Sequence, residues 1–301
     1  MRFDWYQTTI EANPAEVVSV LSKLGHELRP IDSLARQYRY QQGWAIHHNE
    51  RGVVANVFVG GNGDRPHAFA TSDEAQQFSD VVRGEWPDKH LVTRMDSAED
   101  FYESGGYDRL QKVTRKIARA HRLSFASVSD ELDDTAGRTQ YIGSRSSEYM
   151  GRLYEKGWEV VGKTVKGLGV PWNSIETGSV VSIPNGSGEM IDPASWVRLE
   201  LQARPKSEAA RRAAAIATPE QAWTFTKWSS ALAKAALSLD MERFYVRMHK
   251  VSADDEQAEW LCYQYGGLLD RMKADLGDWD CVGRELGRRV ERLRKMRGGK
   301  Q

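Results

Sequence analysis

The chain opens on an alternation, with Phe3, Trp5 and Gln7 set against Asp4 and Tyr6, which is the period of a strand. Asn13-Pro14 then supplies an N-cap and a proline for the first helical position, and Val17, Val20, Leu21 and Leu24 follow at helical spacing up to Gly25. Between residues 38 and 59, aromatic and β-branched residues alternate on either side of the polar Asn49-Glu50-Arg51-Gly52, which predicts a hairpin. A helix is expected over 71–84 with Phe78, Val81 and Val82 on one side, a strand over 90–101, and a second helix over 106–121. That helix sets Leu110, Val113 and Ile117 against Arg109, Lys112, Arg115, Lys116 and Arg119, so its wet side is strongly basic. Strands are expected over 123–129, 138–143, 148–160 and 196–204. Mixed rather than strictly alternating strands and helices predict an α+β fold, a mostly antiparallel sheet with helices on one side.

After Pro205 the pattern changes. An Ala- and Arg-rich run covers 207–216, Thr218-Pro219-Glu220-Gln221 reads as a helix start, and the pattern continues over 223–237. Ser252 and Asp255 form a capping box ahead of Leu261, Leu268, Leu269 and Met272, with an end near Gly277, and a last helix is expected over 280–296. The division expected is an α+β domain over 1–206 and an all-helical region over 207–301.

Composition adds bounds. The chain has 301 residues, 40% apolar and 28% charged, which suits one large or two ordinary globular domains. Forty-two Lys+Arg balance forty-two Asp+Glu, so no global field draws the chain to nucleic acid or to an anionic membrane. The neutral total hides a tail: 284–301 holds six Arg and two Lys against Glu285 and Glu291, a net +6, with an apolar seam of Leu286, Val290 and Leu293. Cys262 and Cys281, with no His or Cys at zinc spacing beside them, fit a reducing compartment. The start MRFDWYQTTI is too polar for a signal peptide and no apolar run approaches ~18 residues, so a soluble cytoplasmic protein with no membrane partner is expected.

Several formal motifs carry little chemistry. Gly157 to Thr164 satisfies the phosphate-loop pattern G-x-x-x-x-G-K-[ST], but Trp, Glu, Val and Val at its middle favour extended backbone, and Lys166-Gly-Leu-Gly-Val-Pro171 cannot continue a helix. Gly60-Gly61-Asn62-Gly63-Asp64 lacks the Lys-Ser/Thr that should follow and reads as a turn. His47 and His48 are adjacent and point to opposite faces of a strand, and no two histidines are separated by one apolar residue.

The expected strands are more informative. Arg94, Asp96, Ala98 and Asp100 share one face, which offers two carboxylates to a hard divalent cation, although a solvated strand face would look the same. Arg152, Tyr154 and Lys156 share a face of the next segment, where two cations beside a phenol should lower its pKa and neutralise a phosphate. Arg198, Glu200, Gln202 and Arg204 lie opposite Val197, Leu199 and Leu201. One sheet face built from these strands would hold acids, a phenol and cations, the inventory for metal-assisted phosphoryl transfer to tyrosine.

Three pieces in this order resemble the replication initiation factor family of rolling-circle plasmids and filamentous phages, which includes relaxases of some integrative elements. They are Val92-Thr-Arg-Met-Asp96-Ser-Ala-Glu-Asp100-Phe, the block Tyr141-Ile-Gly-Ser-Arg145-Ser-Ser with Arg152-Leu-Tyr-Glu-Lys-Gly157, and Trp196-Val-Arg-Leu-Glu-Leu. They span about 90–205, and the middle block is the specific one. The resemblance implies a site-specific DNA nickase and strand transferase that keeps the 5′ end as a phosphotyrosine and leaves a 3′-OH primer. It implies Tyr154 as nucleophile, with Tyr149 the alternative, supported by Arg152 and Lys156. It implies Asp96, Asp100 and Glu200 as ligands of Mg²⁺ or Mn²⁺, with Arg94 and Arg198 ordering carboxylates or gripping phosphate; Arg145 and, from the charge of the tail rather than the resemblance, Arg288 and Arg292 are further expected DNA contacts. Origin DNA, a host helicase and polymerase, and a second copy in a homodimer are the implied partners. A mobilisation relaxase, or a DNA-binding regulator without chemistry, would fit the same fold. Gly151, where the family often has a bulky residue, leaves an expected thin spot, and nothing beyond 206 matches.

Overall fold

The computed structural model describes residues 1–129, 137–167, 182–242, 244 and 253–298. Local chemistry sets most boundaries as the sequence predicts. β1 (Arg2–Ile10) leads to α1 (Pro14–Ser22), which starts where the Asn13 side chain accepts the Ala15 amide hydrogen bond. β2 (Glu27–Pro30) and α2 (Asp32–Gln37) precede the hairpin of β3 (Gln42–His48) and β4 (Gly52–Val59). Then follow β5 (His67–Thr71), α3 (Glu74–Glu85), β6 (His90–Tyr102), α4 (Gly106–Ala120), β7 (Phe125–Val128), β8 (Thr139–Ile142) and β9 (Tyr149–Glu155). The later elements are α5 (Lys156–Gly167), β10 (Ile183–Pro184), β11 (Met190–Ile191), β12 (Trp196–Ala203), α6 (Glu208–Ile216), α7 (Pro219–Ala222), α8 (Lys227–Leu237), α9 (Ala253–Leu276) and α10 (Trp279–Gly298).

Ten strands form one sheet in the order β2-β3-β4-β5-β1-β6-β12-β9-β8-β7, and every pair is antiparallel. The fold class is α+β, as the pattern predicts. β12, the last strand in the chain, inserts between β6 and β9, so the three motif-bearing strands are neighbours at the middle of the sheet. The main core lies on one face. There Phe3, Tyr6, Val57, Val92, Met95, Leu153, Leu199 and Leu201 meet Val17 and Leu21 of α1, Phe78 and Val82 of α3, Leu110 of α4, and the alanines of α6.

The other face carries two smaller apolar clusters. Ala35 of α2 packs with Tyr40, Phe58 and Phe69, and Val161 of α5 packs with Ile183 and Trp196. Between them runs a strip of charged side chains. The "helices on one side" expectation therefore holds for most helices, while α2 and α5 border the strip on the second face.

Three sequence expectations change. The segment expected as a strand over 148–160 is strand only to Glu155, and α5 begins at Lys156. The formal phosphate-loop match Gly157–Thr164 thus lies inside a helix rather than in a loop between a strand and a helix. Gly157 is required there, because a Cβ would sit 2.1 Å from the Pro193 carbonyl oxygen in the single 3-10 turn Pro193–Ser195. Gly151 leaves no thin spot, since an added Cβ would lie 3.1 Å from Ile142 Cδ1 and 3.5 Å from the Trp228 ring.

The boundary near 206 also moves. The contacts divide the chain into Met1–Met248 and His249–Gln301, because α6, α7 and α8 complete the core of the sheet. Alanines let α6 approach closely, and the buried Trp223 indole N–H donates to Ser97 Oγ at 2.9 Å while Ser97 donates to the Pro219 carbonyl at 2.8 Å. Capping boxes at Thr218/Gln221 and Thr226/Ser229 start α7 and α8. In the second unit α9 and α10 pair, and Gly277, at φ +101, makes the turn between them. The Ser252 half of the expected capping box lies outside the described residues. Among the described residues no helix is long and apolar enough to cross a membrane.

Candidate active site

Register builds the strip. Asp100 of β6 stands opposite Arg198 of β12, which stands opposite Tyr154 of β9, which stands opposite Thr139 of β8. The next row runs Ala98, Glu200, Arg152, Tyr141, and the next pairs Asp96 with Gln202 and Gln202 with Met150. Directly opposed and diagonal side chains on one sheet face are within contact reach, so these rows determine who meets whom.

Glu200 is the centre. It is 1% exposed and accepts two hydrogen bonds from Arg152 Nη2, at 2.9 and 2.7 Å, and one from the Tyr154 hydroxyl at 3.4 Å. Burial, with the Asp96 carboxylate nearby, pushes its pKa up to about 7 against the pull of Arg152. Asp96, 2% exposed, is held by both Nε and Nη2 of Arg94 and by the Gln202 amide at 3.3 Å. The Arg94 guanidinium in turn lies 3.9 Å from the centre of the Trp5 ring.

Asp100 belongs to a different group. Its two oxygens receive Arg198 Nε and Nη2, both at 2.7 Å, and the Trp196 indole N–H at 3.0 Å. Arg198 also reaches Asp4 at 2.6 Å. Although burial works against it, the Arg198 hydrogen bonds hold Asp100 below the usual carboxylate range. Asp4 of β1 lies at a register shift in that strand, between Phe3 and Trp5.

This arrangement alters several sequence assignments. Asp96 and Asp100 share a face but stand four residues apart, about 13 Å along a strand, and Asp100 is fully engaged by Arg198. The three carboxylates Asp96, Asp100 and Glu200 therefore do not converge, and among the described residues no group of three His, Cys, Asp or Glu is placed to hold a metal ion. Of the two readings of Arg198, its geometry fits the ordering of carboxylates: it is 1% exposed and bonded to Asp4 and Asp100. Tyr154 is not acidified: burial first, then the Glu200 charge, pushes its phenol well above 10, and the smaller effects of Arg198 and Arg152 do not offset this. Lys156 does not share the strand face. It opens α5, its ammonium lies 3.1 Å from Glu159 and 5.8 Å from the Tyr154 ring centre, and burial lowers its pKa.

The remaining predicted residues fall as follows. Tyr149 points into the main core beside Phe225, its hydroxyl without a hydrogen-bond partner, on the face opposite Tyr154. Arg145 is exposed and covers Tyr141 at 4.2 Å. Arg288 and Arg292 are exposed on α10 in the second unit. A cavity of about 240 Å³ opens beside the strip, lined by Arg138, Thr139, Tyr141, Arg152, Tyr154 and Glu159 among others. Asp4, Trp196 and Tyr141 are site neighbours to which the sequence reading gives no role, although Trp196 and Tyr141 stand in its motif pieces. The alternation of β1 and β12 could have flagged the first two.

The fold and the strip define an α+β protein with a buried carboxylate, arginine and tyrosine cluster on one sheet face. No family model matches the chain, and no curated protein matches it. Among solved structures the chain is similar to the rolling circle replication initiator protein from Geobacillus stearothermophilus, with a TM-score of 0.44, 19% identity, and coverage of 80% of this chain and 92% of that one.

Proposed function

We propose that the strip is the nicking and joining centre of a rolling-circle replication initiator, with Tyr154 as nucleophile and Glu200 as the group that takes its proton. The observation that carries this reading is the contact between the Tyr154 hydroxyl and Glu200, a carboxylate whose pKa of about 7 suits proton exchange at neutral pH. The motif block around Tyr141 to Gly157 supports the same assignment.

The phenol proton passes to Glu200 as Tyr154 Oη bonds to phosphorus and the P–O3′ bond breaks. The 5′ phosphate stays on Tyr154, and the 3′ oxygen leaves and takes a proton from water. Rejoining runs the same steps in reverse. Arg152, beside both Tyr154 and Glu200, balances the phosphate charge, its Nε being buried without a partner among the described residues. The raised phenol pKa makes this proton acceptor necessary, since little phenolate forms at neutral pH without one.

Asp96 and Glu200 are each already engaged by an arginine, so a divalent cation at this pair would have to displace contacts of Arg94 or Arg152 and the proton that Glu200 retains. Mg²⁺ or Mn²⁺ held there would polarise the phosphate. Asp100 and Arg198 keep the floor of the site in register.

The test is incubation of the purified chain with a supercoiled origin plasmid and Mg²⁺. Nicked circles covalently attached to protein are expected, with Tyr154→Phe forming no adduct. An adduct undiminished in that variant would overturn the assignment. Origin binding without cleavage in any divalent metal would leave the regulator reading instead.

A further inference from the structure

The outer face of α4 is not used by the site. Lys112, Arg115, Lys116, Arg119 and Arg122 are exposed, and among the described residues only Arg109, at the start of the helix, meets a carboxylate, Glu103 at 2.6 Å. Arg115 and Arg119 are spaced four apart on one side of the helix, where like charges repel. Arg122 follows the helix with φ +53, a left-handed conformation uncommon outside glycine, asparagine and aspartate. It joins Arg115 and Arg119 around a cavity of about 430 Å³ whose other walls are Ala118, Leu123, Phe125 and Ser127. Three guanidiniums and a hydroxyl around one open cavity form a site for an anion.

Its place in the fold selects the anion. β7, which supplies Phe125 and Ser127, is the edge strand of the sheet, and β8 and β9, which carry Tyr141 and Tyr154, are the next two. Neighbouring strands are about 4.8 Å apart, so the basic edge lies about 10 Å from the strand of Tyr154. α4 packs on the apolar face of the sheet, opposite the face that carries Tyr154, so a nucleic-acid backbone lying along α4 would present several phosphates to its cations and would reach the site only by turning around the β7 edge.

We infer that Arg115, Arg119 and Arg122, extended by Lys112 and Lys116, grip the phosphate backbone of duplex DNA on the catalytic unit itself. The recognition is by charge and independent of sequence, since all these groups are cationic side chains and none is aimed by a hydrogen-bond network at a base edge. The inference concerns binding only and does not require the Tyr154 chemistry.

The test uses the full chain and a labelled duplex of about 25 base pairs of arbitrary sequence. Binding is followed by fluorescence anisotropy between about 50 and 200 mM salt, the range over which backbone contacts lose most affinity. The variant R115A/R119A/R122N keeps a helix former in α4 and a residue that tolerates the left-handed turn. Affinity is expected to fall at least tenfold at low salt, and the slope of log K against log salt to drop by about 0.9 for each phosphate contact removed. The lysine variant R115K/R119K/R122K should retain the slope. Unchanged affinity and slope in the first variant overturn the inference. So does a drop in melting temperature with unchanged duplex binding, which would assign the arginines a structural role. Because no cleavage is read, failure here is distinguishable from failure of Tyr154 as nucleophile.

Discussion

Glu200 shows what a single side chain gains from its surroundings. In the sequence it is an acid alternating with leucines, and that alternation already places it beside Arg198 and Gln202 on one face. What alternation alone could not reveal is its partner set, because Arg152, Tyr154 and Asp96 come from two other strands whose register only the folded sheet specifies. The same blindness put Asp100 with Asp96 rather than with Arg198 and Asp4. The consequence is measurable. With its folded pKa raised to about 7, Glu200 binds a proton in the native state that it releases in the unfolded chain above about 4.5. Its contribution to stability is present below pH 4.5 and is lost as pH rises through 7. Urea denaturation between pH 5 and 8 should therefore show wild type losing stability relative to Glu200→Gln as pH increases. Adduct formation should climb toward a plateau near pH 7 in wild type, about tenfold per unit below it, and be slow without that rise in Glu200→Gln.

At the scale of elements, β-branched and aromatic alternation located the strands around the site well, and apolar spacing located α1, α3 and α4. β5 is five residues, His67–Thr71, too short for a period to show beside the glycine-rich turn before it. α5 is the instructive difference. Trp158, Val160 and Val161 favour extended backbone in isolation, yet docking of Val161 against Ile183 and Trp196 makes the segment helical. That docking depends on Gly157, whose missing side chain admits the Pro193 carbonyl. Gly157→Ala should destabilise the chain by about 1–3 kcal/mol, measured by chemical denaturation, because the clash is with backbone and cannot be relieved by a rotamer change. A neutral result would mean that α5 does not seat against the Pro193 turn.

Across the whole molecule, composition gave a sound size and a misleading boundary. The shift to Ala, Arg and Trp after Pro205 is real, but it reflects helices that cover a sheet, and a helix built of small residues is what close packing on strands requires. A chain ending at Met248 contains the complete core of the first unit and should unfold in one cooperative transition, followed by circular dichroism. A broad or multistep melt would contradict that division. The neutral total charge likewise conceals an uneven layout, with acids drawn into the strip and cations left on α4 and the terminus. β12 ties these scales together. Its two faces are both buried, leucines and valine on one and Arg198, Glu200 and Gln202 on the other. A slip of one residue against β6 or β9 would drive an arginine and a glutamate into the apolar core and strand their partners. The charged strip thus acts as a key that favours one alignment of β12 between its two neighbours.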